Sequence, residues 1–381
     1  MRRRESARRW HTWNTCLFLV SAPLIALTAV APGCAPGASS LRVRAMPAWD
    51  SASRHLVALA DDPGTRRWYA AHLRRQGDRF TLRAVFPLSG PATAVRWIPG
   101  QRRVLFHLRG RSGHIMALNL QSGGAVPLAH GYYPEISPDG RTLALYRRGG
   151  GLWLCDLASR RAQLVREATV GGYCLRPGWY WSPDSQALAF ARMRGLDKWF
   201  ATATLQSGGP PSVRNLVYNS RLVSNQGYYD SFGVGWKDGR TILFGRFGRL
   251  TRDKKDAFAI YSVSTSGGRV REQLPPGKAP CPIGEAMWLP GGRYVVYPTR
   301  RDGREFVRVD LRSGSYRRLD VGRTTEVSTY SASPDATLLV VAERRPRTGL
   351  IVGHWASGKS WRMRLLRDTR ARRGVLAQSE R

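Results

Sequence analysis

Short apolar runs separated by tight polar turns recur along this chain from about residue 49 onwards. In Gly178-Trp-Tyr-Trp-Ser-Pro-Asp-Ser-Gln-Ala-Leu-Ala-Phe-Ala191 one apolar strand enters a turn at Ser182–Ser185 and a second leaves it. Aligned on the apolar residue before the turn, copies start at Trp49, Trp97, Ile136, Trp181, Trp236, Trp288 and Ala332, spaced by 48, 39, 45, 55, 52 and 44 residues. A second strand pair around a Ser-Gly-type turn follows each copy, as in His114–Gly124, Phe200–Gly209, Ile260–Gly268 and Val307–Gly314, with a degenerate version at Trp68–Gly77. A period in the forties made of two strand pairs is that of a propeller blade. Seven copies predict an all-β fold, a seven-bladed β-propeller of four-stranded antiparallel blades. A β-sandwich with coincidental similarity is the alternative, and the regular recurrence of both half-motifs argues against it.

The turn chemistry agrees with that reading. Proline presets φ at the second turn position, Asp or Ser bonds back to the local backbone, and Gly takes the left-handed position. The strand after each turn is almost continuously apolar, as in Leu143-Ala-Leu145, Ile242-Leu-Phe244 and Val295-Val-Tyr297. Such a run suits a strand covered on both faces, where alternation is not expected.

The Trp-Ser-Pro-Asp-Gly/Ser motif, with Asp-Leu-x-Ser-Gly before the last strand, resembles the TolB-type (WD40-like) β-propeller repeat over residues 42–367. The resemblance implies a fold more than an activity. Such propellers serve as periplasmic scaffolds, peptidase gating domains, carbohydrate-active enzymes and sensors. The chain departs from TolB itself in lacking an α/β domain before the propeller.

Residues 1–33 read as a signal peptide. Arg2-Arg-Arg4 and Arg8-Arg9 form a positive start, Cys16–Ala31 an apolar core, and Ala31-Pro-Gly-Cys34 its end. The ending resembles a bacterial lipobox with Cys34 as the lipidated first mature residue. Cleavage near Ala38-Ser-Ser40 and an uncleaved anchor are the alternatives. Residues 34–41 would be a linker, and 368–381 a basic tail extending freely beyond the last blade. Leu41–Arg44 could instead pair with the last blade, so the manner of ring closure stays open. One ring uses nearly all of the remaining length, which leaves no separate catalytic domain. Of five cysteines, Cys155, Cys174 and Cys281 lie in the propeller, where one disulfide is allowed but not demanded. No Cys or His spacing suits a metal site, and neither a metal nor another cofactor is expected.

Charge changes the picture most. The chain carries 61 Lys and Arg against 26 Asp and Glu, a net +35. Such an excess favours an anionic partner, although an Arg-rich, self-repelling surface would give the same count. Strands alternate direction in a blade, so the connections between its second and third strands emerge on the same face as the links between blades. The seven connections of the first kind hold 20 basic residues in 48, and the third-to-fourth-strand turns on the opposite face hold 7 in 30. The expected anionic-ligand face comprises Arg109, Arg147, Arg148, Arg192, Arg194, Lys198, Arg300, Arg301, Arg304, Arg344, Arg345 and Arg347, since guanidinium suits bidentate contact with carboxylate or phosphate. Nearer the channel mouth, the long link Ser212–Gly235 offers Tyr218, Asn219, Asn225, Gln226, Tyr228, Tyr229 and Asp230, joined by Tyr132, Tyr133, Tyr173 and Arg176. That content is typical of small-molecule or sugar recognition, and equally of tyrosines filling gaps between blades.

Catalytic signals are few. There is no Gly-x-Ser-x-Gly elbow, and His55, His72, His107 and His354 fall in or beside strands. His114 and His130 sit at strand ends, without identified partners. The expectation is a non-enzymatic, monomeric cell-envelope propeller, exported and held to the membrane by a lipid anchor, or else secreted. It would bind an envelope protein, an anionic polymer or a lipid headgroup, with no nucleic acid expected after export. A carbohydrate-active, lyase-type propeller with its site at the channel mouth is the alternative.

Overall fold

The serine of each Ser-Pro-Asp turn explains why the turn keeps its form. Ser137, Ser182 and Ser333 are fully buried. The Ser137 hydroxyl donates to Asp139 Oδ1 (2.5 Å) and accepts the Thr142 N–H (2.9 Å). Ser182 repeats this with Asp184 (2.5 Å) and Ala187 (2.8 Å). The first buried amide of the outgoing strand is thereby satisfied. The position after the aspartate is left-handed, with φ of 72° at Gly140, 64° at Ser185 and 59° at Ala336. Ser185 offsets that strain by reaching the preceding turn, where its hydroxyl accepts the Asp139 N–H (3.0 Å).

The computed structural model describes residues 38–110, 113–147, 151–165, 179–194, 197–206, 209–218, 234–248, 257–283, 286–300, 302–322, 326–345, 349–368 and 374–380. After β1 (Ala38–Val43) come β2 (Ala48–Trp49), β3 (His55–Asp61), β4 (Trp68–Gln76) and β5 (Arg79–Leu88). Next are β6 (Ala92–Trp97), β7 (Arg103–Leu108), β8 (His114–Asn119) and β9 (Ala125–His130). They are followed by β10 (Tyr132–Ile136), β11 (Thr142–Tyr146), β12 (Leu152–Asp156) and β13 (Ala162–Val165). Then come β14 (Trp179–Trp181), β15 (Ala187–Arg194), β16 (Asp197–Gln206) and β17 (Gly209–Tyr218). β18 (Val234–Asp238), β19 (Thr241–Gly248), β20 (Ala257–Ser264) and β21 (Arg271–Leu274) form the next set. β22 (Met287–Trp288), β23 (Tyr294–Pro298), β24 (Glu305–Asp310) and β25 (Ser315–Asp320) form another. The series ends with β26 (Glu326–Ala332), β27 (Leu338–Arg345), β28 (Leu350–His354), β29 (Ser360–Asp368) and β30 (Gly374–Glu380).

The architecture is an all-β propeller of four-stranded antiparallel blades, but five blades stand separately rather than seven. These are β6–β9, β10–β13, β14–β17, β18–β21 and β22–β25. The strands expected to make the first and last blades belong instead to one ten-stranded sheet, ordered β26-β27-β28-β29-β1-β3-β4-β5, with β2 on β3 and β30 on β29. The cause is β1. Its residues Ala38–Leu41 register with β29, and Arg42 and Val43 register with Asp61 and Ala60 of β3. The N-terminal strand thus laces the two ends of the chain together.

The tail departs from expectation too. Rather than extending freely, it contributes β30, which pairs with β29 from Trp361↔Glu380 to Arg367↔Gly374. An open strand edge presents unpaired amides and carbonyls, and Val375 and Leu376 are residues that extend along one.

The core lies between sheets, and the uninterrupted apolar runs explain how. In β19, Ile242 and Phe244 join a cluster with β14–β17 neighbours such as Phe200, whereas Leu243 joins Trp288 and Tyr297 on the other side. Alternate side chains of one strand serve two interfaces. Among the described residues there are seven such clusters, each shared by strands that are successive in the repeat, including Leu338 and Val340 with Leu56 and Ala58. The first strands β2, β6, β10, β14, β18 and β22 touch in succession, and β2 also touches β26. They form the inner wall. Repeat tryptophans staple it: Trp97 Nε1 donates to the Ala48 carbonyl (2.8 Å), Trp181 to Glu135 (3.1 Å) and Trp236 to Tyr180 (2.8 Å).

Candidate functional site

The Arg-rich face can be followed side chain by side chain at Arg109, Arg147, Arg300 and Arg304. Arg109 is exposed, and its backbone N–H donates to Pro91 (2.6 Å). Arg147 lies over the Trp153 ring at 4.5 Å, with Nη2 3.8 Å from Cys155 Sγ. Stacking of this kind gives a guanidinium a soft partner and shelters the indole. Arg300 and Arg304 flank one carboxylate, Asp302, at 3.5 and 3.2 Å. Three of these four cations therefore already face a partner within the blade. Arg192, Arg194, Lys198, Arg344 and Arg345 occupy strand ends rather than loops, because β15, β16 and β27 run further than the turn signals indicated. Cross-strand register sets Arg192 against Trp199, Arg194 against Asp197 and Arg345 against Glu326. Arg148, Arg301 and Arg347 lie outside the described residues, as does Cys34.

The acids of this face are anchored more firmly. Asp61, at the end of β3, accepts from Arg44 Nε (2.8 Å) and Arg42 Nη2 (2.8 Å). Burial alone would raise its pKa, but the two guanidiniums hold it below the usual carboxylate range. Glu343 is buried and accepts from Arg362 Nε at 2.7 Å, with a second contact from Arg362 Nη2.

At the channel mouth, Tyr132 is half-buried and meets the His107 ring edge-on, with centroids 5.3 Å apart. Tyr133 is exposed and left-handed, with φ 55°. His107 Nδ1 and Thr93 Oγ1 hydrogen-bond at 2.9 Å, and burial pushes the imidazole pKa down. Tyr218 ends β17, while Tyr173, Arg176, Asn219, Asn225, Gln226, Tyr228, Tyr229 and Asp230 lie outside the described residues. His114 and His130 do come together, as cross-strand partners with rings 4.5 Å apart. They sit on β8 and β9, the outer strands of their blade, away from the inner wall. Among the described residues no three His, Cys, Asp or Glu are grouped as a metal would need. Neither Cys155 nor Cys281 is in a disulfide.

The inner wall holds a polar pair that the loop-by-loop reading missed. Arg96 of β6 donates through Nε to Glu135 of β10 (2.7 Å), with a second contact from Nη2, and to its neighbour's carbonyl at Val95 (2.8 Å). Burial would lower the Arg96 pKa, yet Glu135 and then Tyr180 outweigh it and the pKa rises. The signal was present in the repeat register. Arg96, Glu135 and Tyr180 each directly precede an anchor residue (Trp97, Ile136, Trp181) in successive first strands.

The fold has known counterparts at low sequence identity. No protein-family model matches the chain. The Myceliophteria thermophila Cps50 (Swd1) β-propeller domain is similar with a TM-score of 0.55 at 13% identity, over 84% of this chain and 98% of that one. Oligogalacturonate lyase from Vibrio parahaemolyticus gives 0.51 at 12%, over 91% of this chain and 98% of that one. TolB from Acinetobacter baumannii is a further neighbour, at 0.43 and 16%, over 74% and 62%. What the first two likenesses establish is the β-propeller.

Proposed function

We propose that the chain is an exported, seven-bladed propeller without a catalytic role, which binds an anionic component or a protein of the cell envelope through its loop face. Seven blades follow if the ten-stranded sheet is taken as two blades laced by β1, a reading supported by the seven interface clusters and the succession of first strands. The N-terminal charge and apolar pattern supports export, and Cys34 is the residue proposed for lipidation. One observation carries the binding reading. Connections and adjoining strand ends at one edge of the blades hold 20 basic residues in 48, against 7 in 30 at the other.

The test compares two variants of the mature chain on a carboxylate-polymer resin. One replaces Arg109, Arg148, Arg300 and Arg301 with Ser; the other replaces Arg74, Arg160, Arg161 and Arg312. Elution at clearly lower salt for the first variant alone supports a loop-face site. Equal loss in both would mean that retention reports net charge only, and the reading would be abandoned.

A further inference from the structure

An open groove of about 680 Å³ crosses β19, β20 and the start of β21, lined by Arg246, Tyr261, Arg269, Val270, Arg271 and Glu272. Tyr261 and Val270 also pack against the cluster shared with Leu216 of the preceding blade. We propose that this groove is an anion site for a phosphate monoester.

The geometry of Arg246 is the main argument. Its guanidinium carbon lies 4.6 Å from the Tyr261 ring centroid and 5.5 Å from that of Phe244. Contact with both rings and a hydrogen bond to Tyr261 hold the guanidinium in place at the groove. Arg246 Nε is buried with no hydrogen-bond partner. A buried donor left unpaired is unfavourable, and a turn of the side chain that brings this edge to an oxyanion in the groove would satisfy it. Arg269 and Arg271 are exposed beside it, and among the described residues none of the three has an ion-pair partner.

The same groove selects among anions. Three guanidiniums against the single carboxylate of Glu272 leave two positive charges in excess, which matches a phosphate dianion better than a carboxylate. A sugar ring would need an aromatic face, and the Tyr261 face is already covered by Arg246. The Tyr261 hydroxyl stays protonated, since burial pushes its pKa up despite Arg246. The volume leaves room for an organic body beyond the phosphate. This site uses the strands of one blade and none of the residues tested for the loop face, so either can fail without the other.

Phosphate monoesters occur free and as lipid headgroups, and two arms separate these sources. The mature chain is titrated calorimetrically with glycerol 3-phosphate, and sedimented with phosphatidylcholine vesicles with and without phosphatidic acid. Saturable binding of the soluble ester is expected, weakened about tenfold or more, roughly one lost charged contact, by R246Q and by the surface double variant R269Q/R271Q. The matched double variant R312Q/K359Q should stay within about twofold of the parent, as expected for charges remote from the site. Binding to phosphatidic acid vesicles that the same variants abolish would assign the headgroup as ligand; binding of the soluble ester alone would assign a free phosphate. No saturable binding in either arm, or equal loss in the matched variant, overturns the proposal.

Discussion

Two seams of the ring start from the same repeat and are held by different means. Between β10–β13 and β14–β17 the contacts are local and neutral. Trp181 reaches the Glu135 carbonyl, Ser185 takes the Asp139 amide, and Trp179, Leu188 and Phe190 fill the space. Where the chain ends meet in the ten-stranded sheet, the apolar cluster is supplemented by charge. Arg42 and Arg44 converge on Asp61, Arg362 pairs with buried Glu343, and Arg75 bonds Asp335 at 2.8 Å across 260 positions of sequence. Closing so long a loop costs entropy that a seam between neighbours does not face. The difference teaches that identical turns do not make identical junctions: Arg75 to Asp335 is the bond that reaches between the two ends of the chain, while the Asp61 and Glu343 pairs brace the strands on either side of it.

The largest expected effect comes from breaking the buried pair. Glu343→Ala leaves Arg362, which is 6% exposed, without its partner. The expected loss is about 3–5 kcal/mol in urea denaturation, the usual result of stranding one buried charge. The double change Glu343→Leu with Arg362→Met should recover most of it. A single variant within about 1 kcal/mol of the parent would show that this seam does not depend on the pair.

Asp61 is the second point of attack. Asp61→Asn weakens two charged interactions that join β1 to β3, for an expected loss of about 1.5–3 kcal/mol. Its lowered pKa fixes the pH dependence. The unfolded aspartate binds a proton more readily than the folded one, so the stabilisation is complete above the ordinary aspartate range of about 4 and is lost as pH falls through the lower folded value. Denaturation midpoints of parent and variant should converge at acid pH.

How far the sequence reaches can be judged at these same residues. The Ser-Pro-Asp turns and the anchor tryptophans were legible because each repeat must satisfy the same buried amide and fill the same wedge. Ring closure was not, because β1 carries no turn signal and its pairing with β29 and β3 depends on where the other end of the chain arrives. The Arg-rich face was legible only as a count. Charge counts do not say that Arg147 will lie on Trp153, or that Arg300 and Arg304 will share Asp302. Those outcomes need cross-strand register, which pairs Leu145 with Trp153 and brings Arg147 within reach. Arg96 and Glu135 carry no loop signal for a simpler reason: they sit in strands.

A third seam, between β2–β5 and β6–β9, adds a titrating pair to the comparison. His72 Nε2 and His55 Nδ1 lie 3.1 Å apart, with Trp97 about their rings. Burial, followed by His55, Arg83 and Arg102, pushes the His72 pKa down to about 4, and burial also lowers that of His55. Burial disfavours the charged form of both rings, so their effect runs in the same direction as that of Asp61, towards lower stability at lower pH, and differs from it in range. Stability is intact above about pH 6.5 and falls as pH drops towards 4, by up to about 1.4 kcal/mol per pH unit for each proton taken up on unfolding. His72→Phe should flatten that part of the profile.

The smallest effect separates the two kinds of seam most directly. Trp181→Phe removes the indole donor to Glu135 and should cost about 1 kcal/mol, the net worth of one such bond plus some packing. Trp49 is its counterpart at the closing seam and is more deeply buried, 9% exposed, against Phe80 with centroids 5.7 Å apart. Burial alone would predict the larger loss at Trp49. Its Nε1, however, has no hydrogen-bond partner, so Trp49→Phe gives up contact area while relieving an unpaired buried donor. Trp49→Phe should therefore be the milder change despite the deeper site. If urea denaturation ranks the two the other way, the staple is incidental and packing alone holds both seams.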